Sequence, residues 1–191
     1  MLIPDHLPVQ LAWFAAQHGL PTFGPFHALP VPRADNPMWS MVLPCAWAAL
    51  NSPVGRSILL VADTPPAFAW CLARHGNRVT ILAPDFPAHV GDDLNAVTCQ
   101  GVTWVASDEA LATSRYNAVL ALSPRAAPPP PATMKRWTGL LTIPGRMVLA
   151  FDPRRGDLHA PRGWHDLLGQ TSTDLPWSPG SPIALSALER S

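Results

Sequence analysis

Short runs of apolar residues alternate along this chain with polar or proline-rich breaks, and most runs have the length of a buried strand. The clearest pair spans residues 57–62 and 78–83, with a turn at 63–66 and a stretch without helix breakers at 67–73 between them. Gly76 follows that stretch, where a helix commonly ends on a left-handed residue. Strand, turn, helix, glycine and strand within about 30 residues form one βαβ unit, which predicts a right-handed crossover.

Four further apolar runs predict additional strands, at residues 102–106, 117–123, 147–151 and 183–188. Helical patterns occur at residues 7–18, 38–50, 86–94 and 133–141. Pro44 interrupts the second of these, which predicts a kinked or broken helix. The four consecutive prolines at 128–131 predict an extended polyproline II segment. Alternating strands and helices indicate an α/β fold, a doubly wound and mostly parallel sheet of six or seven strands.

The chain divides at the first strand into an N-terminal helical, proline-rich cap of residues 1–56 and a Rossmann-like domain of residues 57–191. The predicted helix at 67–73 reads AFAWCLA and is apolar on every side. A helix that packs on a sheet with one face alone should be amphipathic, so this one needs a second cover. The N-terminal helices are one candidate for that cover, and a partner protein is the other.

The βαβ unit resembles the class I S-adenosylmethionine-dependent methyltransferases. Their first motif has the form V-L-D-x-G-x-G-x-G, followed by a helix that ends in glycine and a strand that ends in an acid. The spacing matches without a gap, and Gly76 falls at the helix end. The three glycine positions hold Ala62, Thr64 and Pro66, and the position of the ribose-binding acid holds Ala83. The resemblance implies the methyltransferase-like fold, with a degenerate cofactor motif.

Four residues are the candidates for cofactor contact in that cleft: Asp63, Thr64, Asp85 and Asp108. Thr64 also suits the N-cap of the following helix. Asp85 lies two residues beyond Ala83 and could replace the missing ribose acceptor. The resemblance places Asp108 at the contact to the adenine amine, whereas the more ordinary role for an acid here is in the first turn of a helix, where the helix dipole favours it. No catalytic constellation is visible, so the catalytic residues stay unknown.

The turn after the first strand is unfavourable for an anionic ligand group. A helix N-terminus binds anions through free N–H groups, and Pro65 and Pro66 remove two of these. Asp63 adds a negative charge at the same place. We therefore expect a pseudoenzyme, a methyltransferase-like domain without cofactor that serves as a structural or regulatory partner in a complex. The alternative is an active S-adenosylmethionine-dependent methyltransferase with an atypical cofactor loop.

Charge and histidine content exclude several classes of function. The formal net charge is zero, with 13 basic and 13 acidic residues, which argues against nucleic acid and against an anionic membrane surface. None of the seven histidines forms an H-x-H or H-x-x-x-H pair, so no metal site is expected. Lys135 is the single lysine beside twelve arginines, a bias typical of a GC-rich bacterial genome.

Three widely spaced cysteines, Cys45, Cys71 and Cys99, form no disulfide framework and indicate small buried side chains in a cytoplasmic protein. The N-terminus lacks the basic region of a signal peptide. Apolar residues make up 48% of the chain and charged residues 14%, which favours a partly apolar surface. Aromatic residues are frequent in the cap: Trp13, Phe14, Phe23, Phe26, Trp39 and Trp47. This segment predicts contact with a protein partner, or self-association.

Overall fold

The computed structural model describes residues 39–50, 53–61, 64, 68–69, 72–73, 75–82, 102–105, 111, 115–167, 173–174 and 182–190. The helices predicted at 7–18 and 86–94 lie outside these residues. The division of the chain at residue 56 stays a prediction.

The described strands form one sheet, and the two strands of the predicted βαβ unit are parallel neighbours in it. In chain order they are β1 (Ser57–Val61), β2 (Arg78–Leu82), β3 (Val102–Val105), β4 (Tyr116–Leu122), β5 (Leu141–Phe151), β6 (Trp164–Asp166), β7 (Thr173–Asp174) and β8 (Ala184–Arg190). Their spatial order is β3-β2-β1-β4-β5-β8-β6, and β7 pairs with β8 beside β6. Strands β1 to β5 run parallel, and β8 runs antiparallel to β5, β6 and β7. The predicted doubly wound, mostly parallel sheet is confirmed.

Both faces of the sheet are buried, which explains why its strands are continuous apolar runs. In β1, Ile58 and Leu60 belong to the hydrophobic cluster on one face. Leu59 and Val61 belong to the cluster on the other. All four are at most 3% exposed. Successive side chains of a strand point to opposite faces, so a strand covered on both sides needs apolar residues at every position.

Helix α1 (Trp39–Ala49) covers one face of the sheet. It belongs to the same hydrophobic cluster as Phe68 and Leu72, which lie between β1 and β2 in what we call the crossover segment, residues 62–77. The rings of Trp47 and His75 meet edge to face, with their centroids 4.9 Å apart. Of the two alternatives predicted at Pro44, the break is wrong, because the helix continues through this residue, and the kink stays a prediction. Six of its described side chains and that of Leu50 directly after it are buried, and this packing outweighs the lost hydrogen bond: Val42, Leu43, Cys45, Ala46, Trp47 and Ala49.

Helix α2 (Pro131–Leu140) covers the opposite face with Met134, Trp137 and Leu140. Pro130 has φ −58° and ψ 150°, the polyproline II conformation predicted for the proline run. For the last proline of the run, the prediction of an extended segment is wrong. Pro131 is the first helical residue, a position where the missing N–H costs nothing and the fixed φ favours helix.

Cys45 behaves as the small buried hydrophobe that the sequence predicted. Its side chain is fully buried, and this burial raises the pKa of the thiol to about 12. A thiol held in its neutral form is a poor nucleophile. None of the helices in the described part of the chain has both the length and the apolarity needed to cross a membrane.

Candidate functional site

The carboxyl ends of the parallel strands meet at one edge of the sheet, where ligands bind in open α/β folds. We call this the carboxyl edge. Asp63 follows the end of β1 by two residues, Asp85 follows β2 by three, and Asp108 follows β3 by three. These three candidates lie outside the described residues, so their contacts stay predictions. Thr64 is the candidate whose position is described.

Thr64 lies close to the end of β1 with its side chain turned towards the sheet. The residue is 8% exposed, and its hydroxyl donates to the backbone carbonyl of Val61 at 3.0 Å. This bond satisfies the carbonyl of the last strand residue. The hydroxyl of Thr64 therefore acts on its own strand end in this structure, whereas the sequence predicted a cap for the following helix.

The same position tests whether the turn fits a nucleotide cofactor. The motif described above has glycine at this point because a bare backbone lets a ligand come close. Thr64 has instead a buried, hydrogen-bonded side chain at that position. The described part of the turn does not fit a close approach that depends on glycine.

The loop after β4 forms a tight turn at the same edge. The N–H of Ala126 donates to the carbonyl of Ser123 at 2.8 Å, and the N–H of Ser123 donates to Ala150 of β5 at 2.9 Å. Pro124 is buried and Arg125 is exposed. Amino-group methyltransferases have an Asn/Asp-Pro-Pro-aromatic element here, which positions the target nitrogen. The turn Ser-Pro-Arg provides no aromatic ring for that purpose.

A buried carboxylate follows β5 at the carboxyl edge. Asp152 is 5% exposed and accepts hydrogen bonds from the Arg154 backbone N–H at 3.0 Å and from its guanidinium Nε and Nη2 at 3.0 and 2.9 Å. The Arg155 Nε lies 3.7 Å from the same carboxylate. The bonds from Arg154 lower the pKa of Asp152 below its usual value, although burial opposes this shift. Asp152 is thus held ionised by two neighbouring arginines.

The sequence analysis did not identify Asp152, although a signal for it exists. Asp152 precedes Pro153 and caps the 3₁₀ turn Pro153–Arg155 through its side chain. Aspartate followed by proline is a common start of a helical turn. Among the residues that the structure describes, no group of three or more His, Cys, Asp or Glu is placed to hold a metal ion.

The opposite edge, which we call the amino edge, contains a side-chain network that the sequence analysis also missed. Asn77 is 2% exposed and donates from Nδ2 to the carbonyls of Pro53 and Leu72, both at 2.8 Å. Its Oδ1 accepts from the backbone N–H of Arg56 at 3.1 Å. Asn77 therefore joins the segment before β1 to the end of the crossover segment.

Two arginines of the amino edge bind the C-terminus of α1. Arg146 Nη1 donates to the carbonyl of Ala49 at 2.7 Å, and Arg56 Nη1 donates to the carbonyl of Leu50 at 3.2 Å. The Nε and Nη2 of Arg146 also donate to the carboxylate of Glu189. The last carbonyls of a helix lack intrahelical donors and favour positive charge, so both contacts stabilise this end of α1.

Comparison with known proteins finds similarity at the level of structure. No protein-family model matches the chain, and no curated protein matches its sequence. The chain is similar to yhhF from Escherichia coli, a protein assigned to the methyltransferases, with a TM-score of 0.64 and 17% identity over 85% of this chain and 91% of that one. It is similar to the N-methyltransferase NodS from Bradyrhizobium japonicum WM9, with a TM-score of 0.60 and 13% identity over 82% and 98% of the two chains.

A third similar structure is that of SMU.776 complexed with SAH, also assigned to the methyltransferases. The TM-score is 0.54 at 12% identity, over 81% of this chain and 49% of that one. At these identities the likeness concerns the fold, and fold by itself does not fix chemistry. The strand order with its antiparallel β8 and the three likenesses agree with the resemblance in the sequence. The chain has the fold of the class I S-adenosylmethionine-dependent methyltransferases.

Proposed function

We propose that this protein is a methyltransferase-fold pseudoenzyme that does not bind S-adenosylmethionine and acts in the cytoplasm as a structural or regulatory partner in a protein complex. One observation carries the proposal. The turn after β1 contains no glycine, and the described residue at a glycine position, Thr64, has a buried side chain bonded to Val61.

Three sequence features around that turn support the loss of cofactor binding. Pro65 and Pro66 remove backbone donors from the start of the crossover segment, and Asp63 adds a negative charge. Ala83 offers no oxygen to ribose hydroxyls. Each feature weakens a different part of cofactor recognition, so a single compensating contact does not restore all of them.

The cofactor part of the proposal is tested by calorimetric titration of the full chain with S-adenosylmethionine and, separately, with SAH. We expect no binding in the micromolar range. A dissociation constant near 1 μM corresponds to about −8 kcal/mol of binding free energy and would establish the alternative, an active methyltransferase with an atypical cofactor loop. The SAH bound to SMU.776 is the reason to include the second ligand.

The partner part rests on the aromatic residues of the N-terminal segment. Aromatic side chains are common anchors of protein interfaces, and this segment has few charges to solvate them. Crosslinking and mass spectrometry in the native host should find a specific partner or a self-associated form, and changing Trp13 and Phe14 to serine should abolish it. Leu167→Ser is the control, because Leu167 is an apolar side chain that is 39% exposed and lies outside this segment.

The partner proposal is wrong if the protein stays monomeric at high concentration, crosslinks to nothing specific, and behaves the same when both aromatic residues are serine. The cofactor titration is independent of this result, so each half of the proposal can fail alone.

A further inference from the structure

A cavity of about 440 Å³ lies at the amino edge, on the side of the sheet away from the region where the fold family binds its cofactor. Its lining comes from the segments before β1 and at the start of β4 and β5, and from the end of β8: Arg56, Asn117, Thr142, Ile143, Pro144, Gly145, Arg146 and Glu189. The volume falls in the range typical of small-molecule sites. The cavity is thus large enough for a ligand and is distinct from the carboxyl edge.

Most polar groups of the lining already have protein partners. Asn117 accepts from the Ser57 backbone N–H at 2.8 Å, and its Nδ2 donates to the Thr142 hydroxyl at 3.4 Å. The three guanidinium nitrogens of Arg146 donate to Glu189 and Ala49. These bonds fix the walls, and they leave little capacity in those side chains for a ligand.

Arg56 is different. Its Nη1 donates to the carbonyl of Leu50, and the structure gives Nε and Nη2 no partner among the described residues. Arginine has five donors in a planar fork that matches a carboxylate or phosphate. Within the described part of the chain, one edge of the Arg56 guanidinium is therefore unused at the lining of the cavity, while the bond of Nη1 to Leu50 holds the group in place.

Among the described residues, the amino edge has more basic than acidic side chains, although the chain has no net charge. Five arginines lie at strand positions of this edge or directly before them, and Glu189 is the acid among the described residues there: Arg56, Arg78, Arg115, Arg146 and Arg190. A cleft lined by one sign of charge raises the local concentration of ligands of the opposite sign. The described lining of the cavity contains two arginines, Arg56 and Arg146, and one acid, Glu189, and this excess of positive charge favours an anion.

The rim of the cavity is apolar. Ile143 is 65% exposed and Pro144 is also exposed, in the bend of β5 where Gly145 follows. A site with a fixed cation and an exposed aliphatic side chain matches a ligand that has one charged end and one apolar end. Such convergence of a few polar groups and apolar surface is typical of small-ligand sites.

We propose that the amino-edge cavity binds a small organic anion, with its carboxylate or phosphate on the guanidinium of Arg56 and its apolar group against Ile143. The site does not depend on the proposed loss of cofactor binding, since the two edges share no described lining residue.

The test titrates the full chain with 4-methylpentanoate, with inorganic phosphate and with uncharged 4-methylpentanamide, followed by NMR chemical shifts. We expect saturable binding of at least one anion and an affinity for the amide at least about tenfold weaker, since a charge-assisted bond is lost. Arg56→Gln should weaken anion binding by about tenfold or more, and Arg78→Gln, an exposed arginine at the same edge outside the cavity, should leave it within about twofold.

Ile143→Glu is a second variant that avoids the contact of Arg56 with α1. Its side chain is exposed, so the fold should be retained, and the new carboxylate should weaken anion binding by about threefold or more. Ile143→Gln separates the charge from the lost apolar contact. The proposal is overturned if no anion binds at 10 mM (about −2.7 kcal/mol), or if Arg56→Gln and Arg78→Gln weaken binding equally.

Discussion

At the amino edge of the sheet several of the described side chains bond across long sequence distances, whereas at the carboxyl edge the described side chains bond to near neighbours in the chain. Arg146 reaches Ala49 across 97 residues, and Asn117 reaches Ser57 across 60. At the carboxyl edge, Thr64 bonds Val61 three residues away, and Arg154 bonds Asp152 two residues away. One edge joins distant segments to each other, and the other stabilises single turns.

This difference indicates that the bonds of the amino edge stabilise the whole fold, whereas the turns of the carboxyl edge can change in sequence. The bonds of the amino edge connect α1, β1, β4, β5 and β8, so losing one of them disturbs several elements at once. A turn that is bonded within itself can change its sequence without affecting other elements. Ligand-binding residues lie mostly on loops that a rigid scaffold positions, and a self-contained loop can lose a binding motif while the scaffold persists. The bond from Thr64 to Val61, in the described part of the glycine-free turn after β1, fits that description.

The arginines of the two ion pairs differ in burial between the edges. In the Arg146–Glu189 pair the arginine side chain is 15% exposed and the glutamate 31%. In the Arg154–Asp152 pair the arginine is 55% exposed and the aspartate 7%. The half-buried guanidinium at the amino edge belongs to β5 and bonds to two other elements, α1 and β8, while the exposed one at the carboxyl edge bonds within its own 3₁₀ turn. Surface pairs contribute little to stability, so the pair at the amino edge should matter more.

The largest effect is expected in the core between the two edges. Leu72 is fully buried in the crossover segment that begins at the glycine-free turn. Leu72→Ala should lower the free energy of unfolding by about 2–5 kcal/mol, the range for large-to-small changes in a core. Urea unfolding measures this, with Val54→Ala as the control at an exposed position. A near-neutral Leu72→Ala would mean that the altered turn leaves this segment unpacked, and the contrast between the edges would not extend to the core.

A matched pair of polar substitutions compares the edges directly. Asn77→Ala at the amino edge removes three hydrogen bonds, those to the carbonyls of Pro53 and Leu72 and the one from the Arg56 N–H, and should cost about 2–4 kcal/mol. Thr64→Val at the carboxyl edge removes one local bond and should cost about 1 kcal/mol. Both are measured by urea unfolding. Equal losses at the two sites would contradict the distinction drawn between long-range and local bonding.

Two glycines provide a smaller test. A methyl group on Gly145, at the amino edge, would collide with the backbone carbonyl of Thr142, whereas one on Gly139 in α2 would meet no atom within 4 Å. Gly145→Ala should destabilise by about 1–3 kcal/mol, because backbone must move. Gly139→Ala should be neutral or stabilise by up to about 1 kcal/mol, since alanine favours helix. Thermal unfolding of the two variants and the parent chain measures both changes in stability. An unchanged stability of Gly145→Ala would show that this edge is less rigid than its bonds indicate.

The sequence predicted six of the eight described strands, missing the short β6 and β7, and it predicted none of the long-range bonds. Apolar runs such as residues 57–62 report burial on both faces, which is a local property that periodicity can detect. The bond between Arg146 and Ala49 depends on how the sheet brings distant segments together, and no local pattern encodes it. Pro44 is a second case in which the local sequence was not enough, because the packing of α1 overrides a residue that usually breaks a helix. At the candidate site, the spacing of the sequence predicted that Thr64 lies in the turn after the first strand. It did not predict that the side chain of Thr64 is buried and bonded to Val61.

The smallest effect is expected from acid titration of the carboxyl edge. Arg154 lowers the pKa of Asp152 in the folded protein, so the ionised carboxylate stabilises the fold above its unfolded pKa of about 4. That contribution is lost as the pH falls through the lowered folded pKa. Asp152→Asn should therefore be less stable than the parent chain at about pH 7, and its stability should fall less between about pH 5 and pH 2.5. Asp157→Asn, an exposed carboxylate of the following loop, is the control and should follow the parent chain. Urea midpoints measured across this range give the comparison, and parallel curves for Asp152→Asn and the parent chain would show that the local ion pair contributes nothing to the fold.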